Sequence, residues 1–269
     1  SLSLPVQAPH KPLQSTEELM AKYPNIVDND RKTYAALVSS VDQLVDDVVQ
    51  ALKDEDMWDN TLLVFSSDNG AENIYGGYNW PLRSQKKTLW EGGTRAVGFV
   101  SGGPGLLKNV GYKSKALVHI SDWLPTLYRV AGGNQQDLPP GLDGMDVWDA
   151  LSEGAESPRT QIIYNIDELS SCSAVRNGTW KLVVHGNCGN DDKDGWNPPP
   201  GMDEEQRVPN QGDDLWLVNL EVDPYETNNL ANALPDKVME MQQILDSAAE
   251  FVKPSLLSQN PAEEESYPE

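Results

Sequence analysis

The run Leu62-Leu63-Val64-Phe65 constrains the fold more than any other stretch of this chain. Four apolar residues follow one another and stop abruptly at Ser66-Ser67-Asp68-Asn69-Gly70. An unbroken apolar run bounded by polar residues predicts a strand covered on both faces by helices. Just upstream, Asp28 to Asp30 supply cap residues. From Arg31 to Lys53, the positions Tyr34, Leu37, Val38, Val41, Leu44, Val45, Val48 and Leu52 then fall on one stripe of a long amphipathic helix. A second buried strand is expected at Ala96 to Val100, closed by Ser101-Gly102-Gly103-Pro104. A further helix opens at Ser121, with Pro125 near its first turn and Gly132-Gly133 beyond its end. Strands alternating with helices predict an α/β architecture, part of a mixed central sheet flanked by helices. Ser1 to Val6 reads as another strand, and an opening without a charged-then-apolar leader is expected of a fragment or a processed chain.

Beyond about Arg159 the pattern changes. Ala174 to Val184 reads as two short strands around Asn177-Gly178, a two-residue hairpin signal. Leu215 to Leu220 is another strand, followed by the turn Asp223-Pro224-Tyr225. Pro235 then starts a helix whose Val238, Met241, Leu245 and Ala248 share a face. The expected organisation is a main domain over 1–160, a small C-terminal α+β subdomain with an antiparallel sheet and one helix over 161–255, and an acidic tail over 256–269.

Charge narrows the partners. With 42 acidic against 20 basic residues the net charge is -22, which argues against nucleic acid and anionic membrane surfaces. Much of the excess sits in Asp191 to Asp203 and Glu263 to Glu269, which read as solvated loops and tail. No apolar stretch reaches the roughly 18 residues of a membrane span. Cys172 and Cys188 are either two buried thiols or a disulfide closing a polar loop, and the disulfide fits an oxidising compartment. The sequon Asn177-Gly178-Thr179 points to the same compartment as a glycosylation site.

Three segments carry candidate chemistry. Asp68 and Asn69 follow a strand directly, the position where open α/β sheets gather their ligands. A carboxylate and an amide oxygen are hard ligands suited to calcium or magnesium, although Asp-Asn-Gly is also ordinary turn chemistry. Asn79 to Arg95 places Lys86 among several cations, two tryptophans and paired glycines, so that Arg83 to Lys87 forms a basic loop able to meet a sulfate or phosphate in an acidic chain. His10 is expected where the first strand ends and can donate to an oxyanion or move a leaving-group proton. His119 sits in an apolar run and reads as a core histidine; His185 receives no role.

Phe65-Ser66-Ser67-Asp68-Asn69-Gly70, Leu89-Trp90-Glu91-Gly92-Gly93 and His119-Ile120-Ser121-Asp122-Trp123-Leu124-Pro125-Thr126-Leu127 together resemble the sulfatases. So do Leu142-Asp143-Gly144, Arg176 to Leu182 and Asp223 to Leu230, in order over about residues 1–252. Trp80-Pro81-Leu82-Arg83 with the Leu-Trp-Glu-Gly-Gly stretch looks most like the arylsulfatase B (N-acetylgalactosamine 4-sulfatase) subgroup. The resemblance implies an alkaline-phosphatase-like fold and a sulfuric ester hydrolase that binds one Ca2+. It makes Asp68 and Asn69 two calcium ligands and places His10 and Lys86 on the sulfate ester, Lys86 being preferred to Lys87 by its distance from Leu-Trp-Glu-Gly-Gly. Cys172 and Cys188 fall where that subgroup has a bonded pair.

The family's nucleophile is a formylglycine made from the cysteine of a Cys-x-Pro-Ser-Arg signature, and neither cysteine here lies in one. The nucleophile is therefore expected in an N-terminal half that is absent, and this chain alone is expected to be inactive. The implied partners are a sulfate-ester substrate, such as a sulfated glycosaminoglycan, and that N-terminal half; the implied location is lysosomal or secreted. Two alternatives stand beside this reading: a non-catalytic sulfatase-like relative, and a phosphatase or phosphodiesterase of the same superfamily. The three histidines are not spaced as a metal cluster of the latter kind.

Overall fold

The computed structural model describes residues 1–190, 194–202 and 214–253. In chain order its elements are α1 (Glu17–Ala21), α2 (Asn29–Asp54), β1 (Leu62–Ser66), α3 (Glu91–Thr94), β2 (Gly98–Gly102), α4 (Trp123–Val130) and α5 (Trp148–Ser152). They are followed by β3 (Gln161–Asp167), β4 (Cys172–Asn177), β5 (Trp180–Val184), β6 (Leu215–Asn219) and α6 (Pro235–Ala249).

Helix α2 begins where Asp28 caps it, its carboxylate accepting the Arg31 N–H at 2.7 Å. Its stripe is only partly covered: Thr33 and Ala36 are buried, whereas Val38 and Leu44 are exposed. Strands β1 and β2 pair antiparallel from Leu62↔Gly102 to Ser66↔Gly98, with Phe65 and Phe99 stacked at 5.0 Å. This corrects the expected double burial. β1 is half-buried and Phe99 lies exposed, because among the described residues no helix layer covers the second face. Ser1 to Val6 is exposed and forms no strand, since no described sheet edge pairs with its backbone. His10 consequently lies in a turn and not at a strand end.

The C-terminal sheet is antiparallel in the order β3-β4-β5-β6. Asn177 pairs with Trp180, so Gly178 and Thr179 form the hairpin loop, with Gly178 at φ 59° where a side chain is disfavoured. Strand β3, which the sequence pattern did not announce, carries a bulge between Ile163 and Asn165. Period-two alternation then sorts the side chains. Val175, Leu182 and Leu217 face α6 through Met241 and Leu245. Ala174, Val183, Trp216 and Val218 face the other way and pack with Leu89, Trp90, Trp196 and Cys172. The segment from Arg83 to Thr94 is thus built into the core of a sheet formed about a hundred residues later. Cys172 and Cys188 are disulfide-bonded with Cα atoms 5.1 Å apart.

The acidic tail 256–269 and the outer parts of the 191–203 segment fall outside the described residues. Among the described residues no helix is long and apolar enough to cross a membrane. Met241, fully buried between α6 and the sheet, is the test of that packing. Met241→Ala is expected to cost about 2–5 kcal/mol of unfolding free energy, measured by urea denaturation.

Candidate active site

The turn after β1 leaves its oxygens available. Asp68 is exposed, with one carboxylate oxygen accepting the Asn69 N–H at 2.8 Å. The Asn69 amide donates its NH2 to the Gly70 carbonyl at 2.8 Å, which turns its own oxygen away from that bond. Gly70 N–H donates to Gly93 O at 3.0 Å, and a Cβ on Gly70 would lie 1.7 Å from Gly92 O, so this approach admits only glycine.

Three further ties lay the 83–93 segment beside the turn. Lys86 N–H donates to Ala71 O at 3.1 Å, Gln85 Oε1 accepts the Asn73 N–H at 2.7 Å, and Asn79 bridges Ala71 and Ser84. Lys86 is half-buried and makes no ion pair with a described residue, while Lys87 is exposed at φ 75°. His10 reaches the same neighbourhood indirectly. It is exposed, with Nδ1 2.9 Å from Lys11 O, and the Lys11 ammonium sits 5.3 Å from the Tyr75 ring, next to the 71–73 strip. Asp68, Asn69 and Lys86 are therefore joined by backbone hydrogen bonds, and His10 stands at the margin.

Arg83 does something other than the basic-loop reading foresaw. Its guanidinium is fully buried and donates to both oxygens of Asp194 at 2.8 Å. It stacks on Trp90, Trp216 and Trp196 at 3.4, 4.1 and 4.7 Å from the ring centroids. A cation enclosed by three indoles and a bidentate carboxylate is a structural pin, worth more here than at a wet surface. It has no access to an anion in solution.

Lys181 on β5 is fully buried and donates to Glu91 Oε1 and Glu226 Oε1, each at 2.9 Å. Glu226, held at φ 58°, accepts the Glu91 N–H at 2.7 Å with its other oxygen. Burial pushes both carboxyls up. At Glu91 it is outweighed by the charge and hydrogen bond of Lys181, assisted by Arg176 and Arg95, which hold that carboxyl below its ordinary range. At Glu226 burial prevails and raises it to about 7. Burial would lower the Lys181 ammonium, but the two carboxylates reverse this and hold it well above its usual value. This cluster was missed in the sequence because its members are scattered. The available signal was a lysine inside the apolar strand Trp180 to Val184.

His119 is half-buried and caps the turn before α4. Its Nδ1 is 2.8 Å from Ser121 Oγ and its N–H donates to Asp122, a buried carboxylate gripped by Arg159. His185 is exposed, 3.3 Å from Asp214. At the turn, a carboxylate and an amide oxygen make a donor set that fits a hard divalent cation such as calcium. Among the described residues no group of three or more His, Cys, Asp or Glu side chains converges as a metal cluster.

Comparison with known proteins gives these features a context. The sulfatase family profile matches residues 1–133. Arylsulfatase J of Mus musculus is 40% identical, the match covering 87% of this chain and 42% of that protein. Arylsulfatase A of Homo sapiens is 28% identical over 82% of this chain and 45% of its own length. The crystal structure of Ps i-CgsB superposes with a TM-score of 0.69 at 29% identity, over 89% of this chain and 48% of that one. The chain thus spans less than half the length of the curated relatives it matches. These likenesses support arylsulfatase homologues in general and do not single out the arylsulfatase B subgroup.

The cluster predicts a pH dependence. Glu226 has a folded pKa raised from 4.5 to about 7, so its contribution to stability is complete below the unfolded value and is lost as pH rises through about 7. Glu91, held below 4.5, contributes above that value and stops contributing as pH falls through its lowered one. The unfolding midpoint is expected to decline from roughly pH 5 to 8, and Glu226→Gln is expected to flatten that decline in scanning calorimetry.

Proposed function

We propose, from the match of residues 1–133 to the sulfatase family profile, that the polypeptide carrying this chain is a sulfuric ester hydrolase of the arylsulfatase type. The fold is the alkaline-phosphatase-like fold of the sulfatases. The observation that carries the reading is the backbone ladder joining the Asp68-Asn69-Gly70 turn to the Lys86 loop, which gathers hard oxygen donors and a cation that makes no ion pair among the described residues. Lys86 binds and orients the sulfate group by charge-assisted hydrogen bonds. His10 hydrogen-bonds the ester oxygen and delivers the proton that lets the leaving alcohol depart. Asp68 and Asn69 would hold calcium, whose charge would stabilise the developing oxyanion.

Formylglycine supplies the nucleophile in this reading and belongs to a segment N-terminal to this chain, since neither Cys172 nor Cys188 stands in Cys-x-Pro-Ser-Arg. Both are in fact consumed in the disulfide. The same segment is the partner that would cover the exposed faces of α2, β1 and β2, and 1–160 with 161–255 would be its continuation and a C-terminal subdomain. A chain lacking it is inactive. The substrate is an aryl sulfate or sulfated sugar, sulfated glycosaminoglycans included. The disulfide and an N-glycan on Asn177 suit a lysosomal or secreted enzyme.

The test is turnover of a chromogenic aryl sulfate by the complete, matured polypeptide. Activity is expected to need calcium, and Lys86→Ala and Asp68→Ala are each expected to lower kcat/KM by about 10²-fold or more. Asp68 is exposed, so its loss should leave the unfolding midpoint nearly unchanged. A matured protein inert toward aryl sulfates and sulfated sugars would replace this reading with that of a non-catalytic relative.

A further inference from the structure

We propose that the C-terminal sheet is a working part of the site, and that Asn187 and Lys181 are positioning residues acting through Lys86; this rests on the sulfatase reading. The loop bearing Lys86 has only local hydrogen bonds within itself, such as Gly92 N–H to Arg83 O and Thr88 Oγ1 to Gln85 O, and α3 is only four residues long with no side-chain cap from Trp90. Besides the ties to residues 71–79, its holds come from the C-terminal side of the chain. On one side of Lys86, Arg83 is fixed by Asp194, and Ser84 N–H donates to Gly195 O at 2.8 Å. On the other side, Glu91 is fixed by Lys181 through its carboxylate and by Glu226 through its N–H.

Between these anchors, the segment after β5 lies along the loop. Leu89 N–H donates to Gly186 O at 2.7 Å, and Trp90 Nε1 donates to Asn187 Oδ1 at 2.8 Å. Asn190 Nδ2 reaches Lys87 O at 3.4 Å. A Cβ on Gly186 would meet the Trp90 ring at 2.6 Å, so the two surfaces are in direct contact. The disulfide ties this segment back to β4 through Cys188.

Arg83, Ser84, Lys87, Leu89, Trp90 and Glu91 are thus each tied to a group on the C-terminal side, while Gln85 and Lys86 are tied to Asn73 and Ala71. The loop in turn delivers Gly93 O to Gly70 and so reaches the Asp68-Asn69 turn. A displacement of about 1 Å at such a loop is enough to cost on the order of 10²-fold in rate. The chemistry of the positioning groups is distinct from that of the site: neither Asn187 nor Lys181 is given contact with the ester.

The experiment is a double-mutant cycle in the complete, matured polypeptide, reading KM for an aryl sulfate, kcat, and the inhibition constant of inorganic sulfate. Asn187→Ala removes one hydrogen bond at a half-buried position and is expected to leave the protein folded. It should raise KM and the sulfate inhibition constant together by about 10-fold, and in a Lys86→Ala background it should change neither further. Lys181→Met should do the same more strongly. If it fails to fold, Asn190→Ala supplies the second arm with the same expected pattern. Equal effects of Asn187→Ala with and without Lys86, or an unchanged sulfate constant, would overturn the inference while wild-type turnover leaves the sulfatase reading standing. Absence of wild-type turnover overturns both.

Discussion

A lysine with no exposed surface, standing in the middle of a strand, imposes a condition on everything around it. Lys181 is tolerated in the sheet only because two carboxylates meet it at 2.9 Å, one from the 83–94 segment and one from the loop after β6. Removing Lys181 from such a cluster leaves the buried carboxyl groups without a cation, at a cost of about 3–5 kcal/mol. The ion pair therefore specifies where α3 must sit, more than it adds to stability. Once Glu91 is placed, Trp90 enters the sheet's core edge-on to Trp216 at 5.6 Å, and Arg83 is enclosed between them. The turn carrying Asp68 and Asn69 then follows through Gly93.

This arrangement settles which cations of the loop are structural and which face solvent. Arg83, Lys86 and Lys87 lie within five positions, yet one is sealed in an aromatic box, one is half-buried with no ion pair among the described residues, and one is exposed. Composition cannot separate them, because the deciding groups, Asp194 and Trp216, lie more than a hundred residues away. Net charge is similarly uninformative about the site, since it is one sum over all 269 residues.

What could be read from the sequence was what is local. The stripe from Tyr34 to Leu52 gave α2, Asn177-Gly178 gave the β4–β5 hairpin, and Pro235 with Val238, Met241 and Leu245 gave α6. Each depends on periodicity or turn chemistry within a few residues. The apolar opening at Leu2, Leu4 and Val6 misled for the complementary reason: a strand needs an edge to pair with, and no described sheet edge pairs with this segment. Leu62 to Phe65 did become a strand, although its apolar run overstated the cover it has here. The Asp68-Asn69 turn and Lys86 were singled out by residue type and resemblance, whereas the Lys181 cluster required knowledge of which distant segments meet.

The distances along the chain between the loop and its anchors also bear on how the protein is made. Asp194, Lys181 and Glu226 lie 111, 90 and 135 residues from their partners Arg83, Lys181's mate Glu91, and Glu91 itself. At ribosomal rates of about 5–20 residues per second, the loop waits several seconds or more for its last anchor to be synthesised. During that interval the indole of Trp90 and the carboxylate of Glu91 have no native environment to enter. A nascent chain of this kind depends on its final strand and the turn after it to complete a region translated long before, so a ribosome that stops early yields a protein in which α2 is formed but the loop is still unplaced.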